Sequence, residues 1–213
     1  MSKKGARLDP RVRRTRQLLR QALWELIAEK GYEAITIQDI ADRATLNRTT
    51  FYLHYRDKAD LLYQGVEEVF EELTPRDPQK IPTGEKLSLE GTRIAITHDF
   101  EHFAKNYEFY RAMLGRHGVW GFFFQLQEYI YDITAHRLEA ALGELPSGPI
   151  PTDFVLNYIA AAYIGVIRWW IKHEMPYSPK DMARRLVWIY IYGVYKALGL
   201  ELKIGEVESD IVR

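Results

Sequence analysis

The 213-residue chain contains no cysteine. That excludes disulfides, cysteine nucleophiles and thiolate metal sites, and it fits a cytoplasmic location, which is expected here. Net charge is absent too, with 29 Lys and Arg against 29 Asp and Glu. A chain so balanced does not coat a polyanion over its whole surface. No G-x-S-x-G, P-loop or GxGxxG is present, nor a paired-carboxylate set in an evident cleft. No enzyme is therefore expected. The opening MSKKGARLDPRVRRTRQLL lacks an apolar core segment, so no signal peptide is expected. The most apolar run, Phe154 to Ile171, is broken by Asn157 and Arg168. A buried helix explains it better than a membrane span, and no membrane partner is expected. No segment alternates in the manner of a strand, and there is no internal repeat.

What is present is unevenly placed. Residues 1–20 hold eight Lys or Arg against one Asp, and residues 1–60 carry a net charge of +5. A basic front end on an acidic body means that one end meets a polyanion and the other does not. Residues 1–10 read as a loose basic arm. From about Arg11 to Lys30, Leu19, Leu23, Leu26 and Ile27 form an apolar helical stripe that Gly31 ends. Thr36 with Asp39 resembles a capping box, and Ile37, Ile40, Ala41 and Ala44 give one apolar face. Thr45 and Leu46 form a break. Asn47 then caps a short helix, and Asp57 with Asp60 caps the next, which runs from Lys58 to about Leu73. Residues 75–86 carry three prolines and read as a linker or exposed loop. Helices follow at roughly 88–106, 108–114, 122–142, 153–174 and 179–198, with a turn at LGELPSGPIP.

The short helix NRTTFYLHYR is poor helix-forming material, crowded with hydroxyls and aromatics. Three helices within residues 11–55, the last two joined by a tight break, give the layout of a helix-turn-helix. In that layout Leu46 and Phe51 anchor the inward face. Arg48, Thr49, Thr50 and Tyr52 are left for a major groove and its walls. The bland alternative is a three-helix cap whose aromatics fill a small core.

The stretch ITIQDIADRATLNRTTFYLHYRDKADLL, with its lead-in RRTRQLLRQALWELIAEKGYEA, resembles the DNA-binding signature of the TetR family of transcriptional regulators over residues 13–62. The family's usual turn glycine is Thr45 here. A β-branched residue disfavours positive φ, so the turn needs other dihedrals or bears strain. The resemblance implies an all-α chain. Residues 1–57 would be a three-helix DNA-binding domain with a basic arm, and residues 58–213 a larger helical domain for effector binding and dimerisation. It implies Gln38, Arg48 and Thr49 as base readers, with Asn47 capping the reading helix. Thr36, Thr50, Tyr52, His54 and Lys58 would face phosphates. His54 has the alternative of packing between helices, and Arg13, Arg14 and Arg16 would be backbone contacts or arm residues, with a solvated surface charge as the alternative for any of them. The implied partners are double-stranded DNA, a second copy of the chain and a small effector. The implied role is a repressor on a palindromic operator. The alternative is a helical dimeric interaction or ligand-binding protein that no longer binds DNA.

Residues 98–131 are rich in aromatics. Pockets combine apolar walls with a few polar groups, and Phe103, Tyr107, Tyr110, Phe123, Gln127, Asn157 and Trp169 are expected to line one for a largely apolar effector, the alternative being ordinary core and dimer surface. His98 and His102 lie at i and i+4 but lack a third ligand, so neither a metal nor another cofactor is expected. For the dimer, Ala160, Ala161, Ala162, Gly165, Gly193 and Ala197 allow close approach of the last two helices. Ile159, Val166, Trp169, Leu186, Ile189 and Val194 would supply apolar area.

Overall fold

The computed structural model describes residues 9–73, 89–145 and 150–197. In chain order its elements are α1 (Pro10–Lys30), a 3-10 turn (Tyr32–Ala34), α2 (Ile37–Arg43), α3 (Arg48–Tyr52), α4 (Lys58–Leu73), α5 (Leu89–Lys105), α6 (Tyr107–Leu114), α7 (Trp120–Leu142), α8 (Thr152–Lys172) and α9 (Pro179–Ala197). The described residues contain no strand, and the all-α expectation holds. The proline-rich stretch 75–86 and part of the LGELPSGPIP turn lie outside the described residues.

Helix α1 starts slightly before the apolar periodicity does. Asp9 accepts a bond from the Arg11 N–H at 2.8 Å, and Pro10 takes the first helical position, where its missing N–H costs nothing. The stripe of Leu19, Leu23, Leu26 and Ile27 is buried as expected. Gly31 ends the helix with φ +80° and returns its N–H to the Ile27 carbonyl at 3.0 Å.

The chain divides into two compact units. The first holds the described part of Met1–Thr74 together with Asn106–Phe123, and so includes α6. There Trp24 of α1 meets Phe109 of α6 edge-on at 5.0 Å, and Phe109 meets Phe122 at 5.3 Å. Helix α4 passes α1 at Gly65, where an added Cβ would lie 2.7 Å from Cζ2 of Trp24. That close approach explains a mid-helix glycine, which otherwise costs about 0.5–1 kcal/mol relative to alanine. Arg20 and Glu68 form an ion pair between the same two helices.

The second unit holds the described parts of Pro75–Lys105 and Phe124–Arg213. Phe100 of α5 packs edge-on against Trp170 at 5.0 Å and Tyr163 at 5.8 Å, both from α8. Beside it, Asp99 of α5 is buried. Its carboxylate accepts from the Tyr163 hydroxyl at 3.3 Å and from the Arg137 guanidinium of α7 at 3.3 and 3.4 Å. Burial, aided by the Asp99 charge, pushes the Tyr163 pKa well up, so the phenol stays protonated and donates. Helix α8 is apolar on nearly every side. By length and composition it is the single described helix that could cross a membrane. One face, including Leu156, Ala160, Ile164, Ile167 and Ile171, is buried within the unit. Phe154, Tyr158 and Trp169 are exposed. The Trp170 indole N–H donates to the Tyr177 carbonyl at 2.9 Å and fastens the turn into α9. Helix α9 breaks its helical geometry at Gly193, φ +74°.

Candidate nucleic-acid interface

Four short-range devices fix the segment from α2 to α4. The capping box forms as expected. The Thr36 hydroxyl accepts from the Asp39 N–H at 3.1 Å, and Asp39 Oδ2 accepts from the Thr36 N–H at 2.8 Å. The Thr36 backbone bond, helped by Lys30, holds the Asp39 carboxyl down at about 2. The turn after α2 is a Schellman motif: the Leu46 N–H reaches the Ala41 carbonyl at 2.9 Å, and the Thr45 N–H reaches that of Asp42 at 3.0 Å. Thr45 sits at φ +57°. The turn keeps the geometry that favours glycine, and the threonine bears the strain. Asn47 then caps α3, its Oδ1 accepting from the Thr50 N–H at 2.7 Å and the Thr50 hydroxyl at 2.9 Å. At the next helix Asp57 accepts from the Asp60 N–H at 2.8 Å. Asp60 reaches back to the Arg56 N–H at 2.9 Å and not to that of Asp57. Arg43 locks α2 to α1 through a forked pair with Glu29 at 2.8 and 2.7 Å.

Helix α3 has only five residues. Phe51 is fully buried, in ring contact with Tyr52 at 5.6 Å and Tyr55 at 5.9 Å. At about 100° per residue, Thr49 falls nearly opposite Phe51, while Tyr52 lies about 100° and Arg48 about 60° from it, and all three are exposed. The Arg48 guanidinium donates to the Tyr52 hydroxyl at 3.1 Å and lies 5.6 Å from its ring centroid. An arginine held beside a ring in this way still has N–H donors left over.

The other predicted contacts are placed less simply. Gln38 is exposed on α2, with its amide donating to Asp42 at 2.7 Å. Thr36 and Thr50 already use their hydroxyls in the two caps. His54 is half-buried. That burial, with the charge of Arg16, lowers its pKa and favours the neutral ring. Arg16 lies 5.2 Å from the Tyr55 ring, and Tyr55 is core. Lys58 departs from the expectation of a phosphate contact. Its ammonium donates to the carbonyls of Tyr32 and Ile35, each at 2.9 Å, and sits 4.3 Å from the Tyr32 ring. The Tyr32 carbonyl already accepts from the Ile35 N–H at 3.2 Å, so Lys58 adds a second donor there and ties the 3-10 turn to the Ile35 carbonyl beyond it. Only their positions in space reveal Lys58 as that donor.

The seven residues expected to line one pocket do not share a unit. Tyr107, Tyr110 and Phe123 belong to the first unit, while Phe103, Gln127, Asn157 and Trp169 belong to the second. Phe103 and Tyr110 are packed core, and Trp169 is exposed beside Tyr177. Gln127 and Asn157 do come together. With Phe124, Glu128, Tyr131 and Asp132 they line an open depression of about 530 Å³ between α7 and α8. The sequence reading missed Phe124 and Tyr131 as its walls, although their spacing from Gln127 and Glu128 places them on one helical face.

The strain at Thr45 gives a directional expectation. Positive φ costs a non-glycine residue about 1–2 kcal/mol, and glycine returns part of that as extra freedom of the unfolded chain. Thr45→Gly should raise stability by about 0.5–1 kcal/mol, read from the midpoint of urea denaturation. A lower midpoint would show that the threonine is not strained.

Residues 19–64 match the family model described as "Bacterial regulatory proteins, tetR family". Residues 94–191 match the model described as "Transcriptional regulator C-terminal region". The HTH-type transcriptional regulator YxbF of Bacillus subtilis (strain 168), itself uncharacterised, is 40% identical over 76 residues. That match covers 33% of this chain and 20% of YxbF, so the chain spans about a fifth of that relative's length. Two solved structures share the fold. NalD, the secondary repressor of the MexAB-OprM multidrug efflux pump in Pseudomonas aeruginosa, aligns with a TM-score of 0.60 at 16% identity, covering 85% of this chain and 97% of its own. The TetR family transcriptional regulator PfmR from Thermus thermophilus aligns with a TM-score of 0.57 at 20% identity, covering 84% and 95%. The two family models together take in more than half of the residues, including the whole capped turn and α3. The chain belongs to the TetR family of transcriptional regulators.

Proposed function

We propose that the chain is a DNA-binding repressor whose dimer holds a palindromic operator and releases it when a small effector binds. One observation carries the reading: a five-residue helix, held by buried Phe51, turns Arg48, Thr49 and Tyr52 outward on a front end of net positive charge. Arg48 forks onto guanine O6 and N7, while Thr49 and Gln38 meet neighbouring base edges. Tyr52 steadies Arg48 and faces the groove wall. Asn47, Thr36, Thr50 and His54 lie along the same capped segment and face phosphates, while Lys58 holds the backbone in place. The work divides near residue 57. Residues 1–57 read DNA, and residues 58–213 bind the effector and the second copy.

The outer face of α8 supports the dimer. Phe154, Tyr158, Ala161, Ala162, Gly165 and Trp169 recur at near-heptad spacing, and all are exposed in the single chain. Trp188 of α9 is exposed as well. An apolar stripe of this kind pairs with its copy across a two-fold axis and sets two reading helices on successive half-sites. Ala160 and Leu186 are buried within the subunit, so they belong to its core rather than to the seam.

The depression between α7 and α8 supports the effector part of the reading. Phe124 and Tyr131 supply ring surface, and Gln127 and Asn157 supply hydrogen bonds. Glu128 and Asp132 favour a ligand that is largely apolar but carries a positive group. The effector acts by binding the released form more tightly than the DNA-bound one.

Three outcomes test the proposal. Arg48→Ala should cost about 1–3 kcal/mol on a selected operator and little on random duplex; equal losses on both would remove its base-reading role. Gly165→Arg should turn a micromolar dimer into a monomer in sedimentation while leaving the helical signal intact, because a side chain there meets nothing within 4 Å in its own subunit. A dimer that survives would place the seam elsewhere. Among amphipathic amines, those that raise the melting temperature should also release DNA. Stabilisation without release would sink the regulatory link.

A further inference from the structure

Leu53 is the most exposed large apolar side chain within residues 9–73, at 77% of its surface. It is not part of a loose loop. Its backbone stays helical at φ −70° and ψ −19°, and its N–H returns to the Thr49 carbonyl at 3.3 Å. Leu53 therefore continues the turn of α3 and lies on the face of Thr49, four residues back. It stands opposite buried Phe51 and next to the Arg48–Tyr52 pair. A lone exposed leucine on a surface is ordinary. An isobutyl group on the only open face of a five-residue reading helix has a definite chemical counterpart. In the major groove the apolar feature of a base edge is the C5-methyl of thymine, whereas guanine, adenine and cytosine present donors and acceptors that leucine leaves unpaired.

We propose that Leu53 is a specificity-determining residue that selects a thymine at one position of each half-site by apolar contact with its C5-methyl, beside the base read by Arg48. This rests on the DNA-binding reading above. It adds a discriminating contact that carries no charge and forms no hydrogen bond, so it depends little on salt, unlike the contacts of the basic arm.

The test uses the full chain. A preferred duplex is first selected from random sequences, and each thymine is then replaced singly by deoxyuridine, which deletes only the methyl group. The parent protein should lose affinity about three- to fivefold at one symmetric position, the size expected for one buried methyl group. Leu53→Ala should abolish that sensitivity while leaving the effect of deoxyuridine elsewhere unchanged. Its melting temperature should match the parent's, since Leu53 packs little in the free protein. Thr49→Ser, which removes the other methyl on this face, should leave the sensitive position in place. The proposal is overturned if no thymine methyl matters, if the same position stays sensitive in Leu53→Ala, or if the sensitivity follows Thr49. Failure to bind any duplex would instead remove the DNA-binding reading, and this inference with it.

Discussion

Burial of one phenyl ring underlies the whole reading end. Five helical residues cannot sustain themselves in water, because nucleating a helix fixes several residues for each hydrogen bond gained. Phe51 supplies what the local sequence lacks. Fully enclosed, its side chain contributes on the order of 2 kcal/mol and fixes which side of α3 faces out. The Asn47 cap and the Thr45 turn set where the helix begins and in which direction. The exposed face can then carry threonine and tyrosine, which helix propensity alone would not favour.

Much of this was legible in the sequence because caps and turns are local. Thr36 with Asp39, Asn47 and Gly31 announce helix ends through chemistry confined to four or five residues. Asp9 followed by Pro10 carries the same kind of signal for the start of α1, although the surrounding basic residues mask it as part of an arm. The strain at Thr45 was legible because a side chain's aversion to positive φ does not depend on its neighbours. The role of Lys58 was not. Its partners lie more than twenty residues earlier, and a basic residue in the first turn of a helix suits an anion as well as a carbonyl until the fold decides. The membership of α6 in the first unit was equally hidden. The pairing of Trp24 with Phe109 is a long-range choice, and aromatic composition alone made Tyr107 and Tyr110 look like pocket walls.

The second unit is organised around a different constraint. Asp99, Arg137 and Tyr163 come from three helices and satisfy one another in a setting that excludes most water. Removing one partner from such a set strands a charge at about 3–5 kcal/mol, so α5, α7 and α8 keep a common register. Around that fixed point α8 still has apolar surface to spare on the far side. Its exposed apolar residues, from Phe154 to Trp169, recur at regular spacing.

The notch at Gly65 has a mechanical consequence. Helix α4 is fastened at its first residue by the Lys58 ammonium and passes α1 where only a hydrogen atom fits against Trp24. Its neighbours on that face, Leu61 and Val69, stand one turn away on either side, and both are buried. Sliding α4 by one turn would drive one of them into the indole, so translation along the axis is blocked. Tilting about the notch is not. Any displacement of α4 that keeps this contact is therefore a change of angle, with Gly65 as the fulcrum.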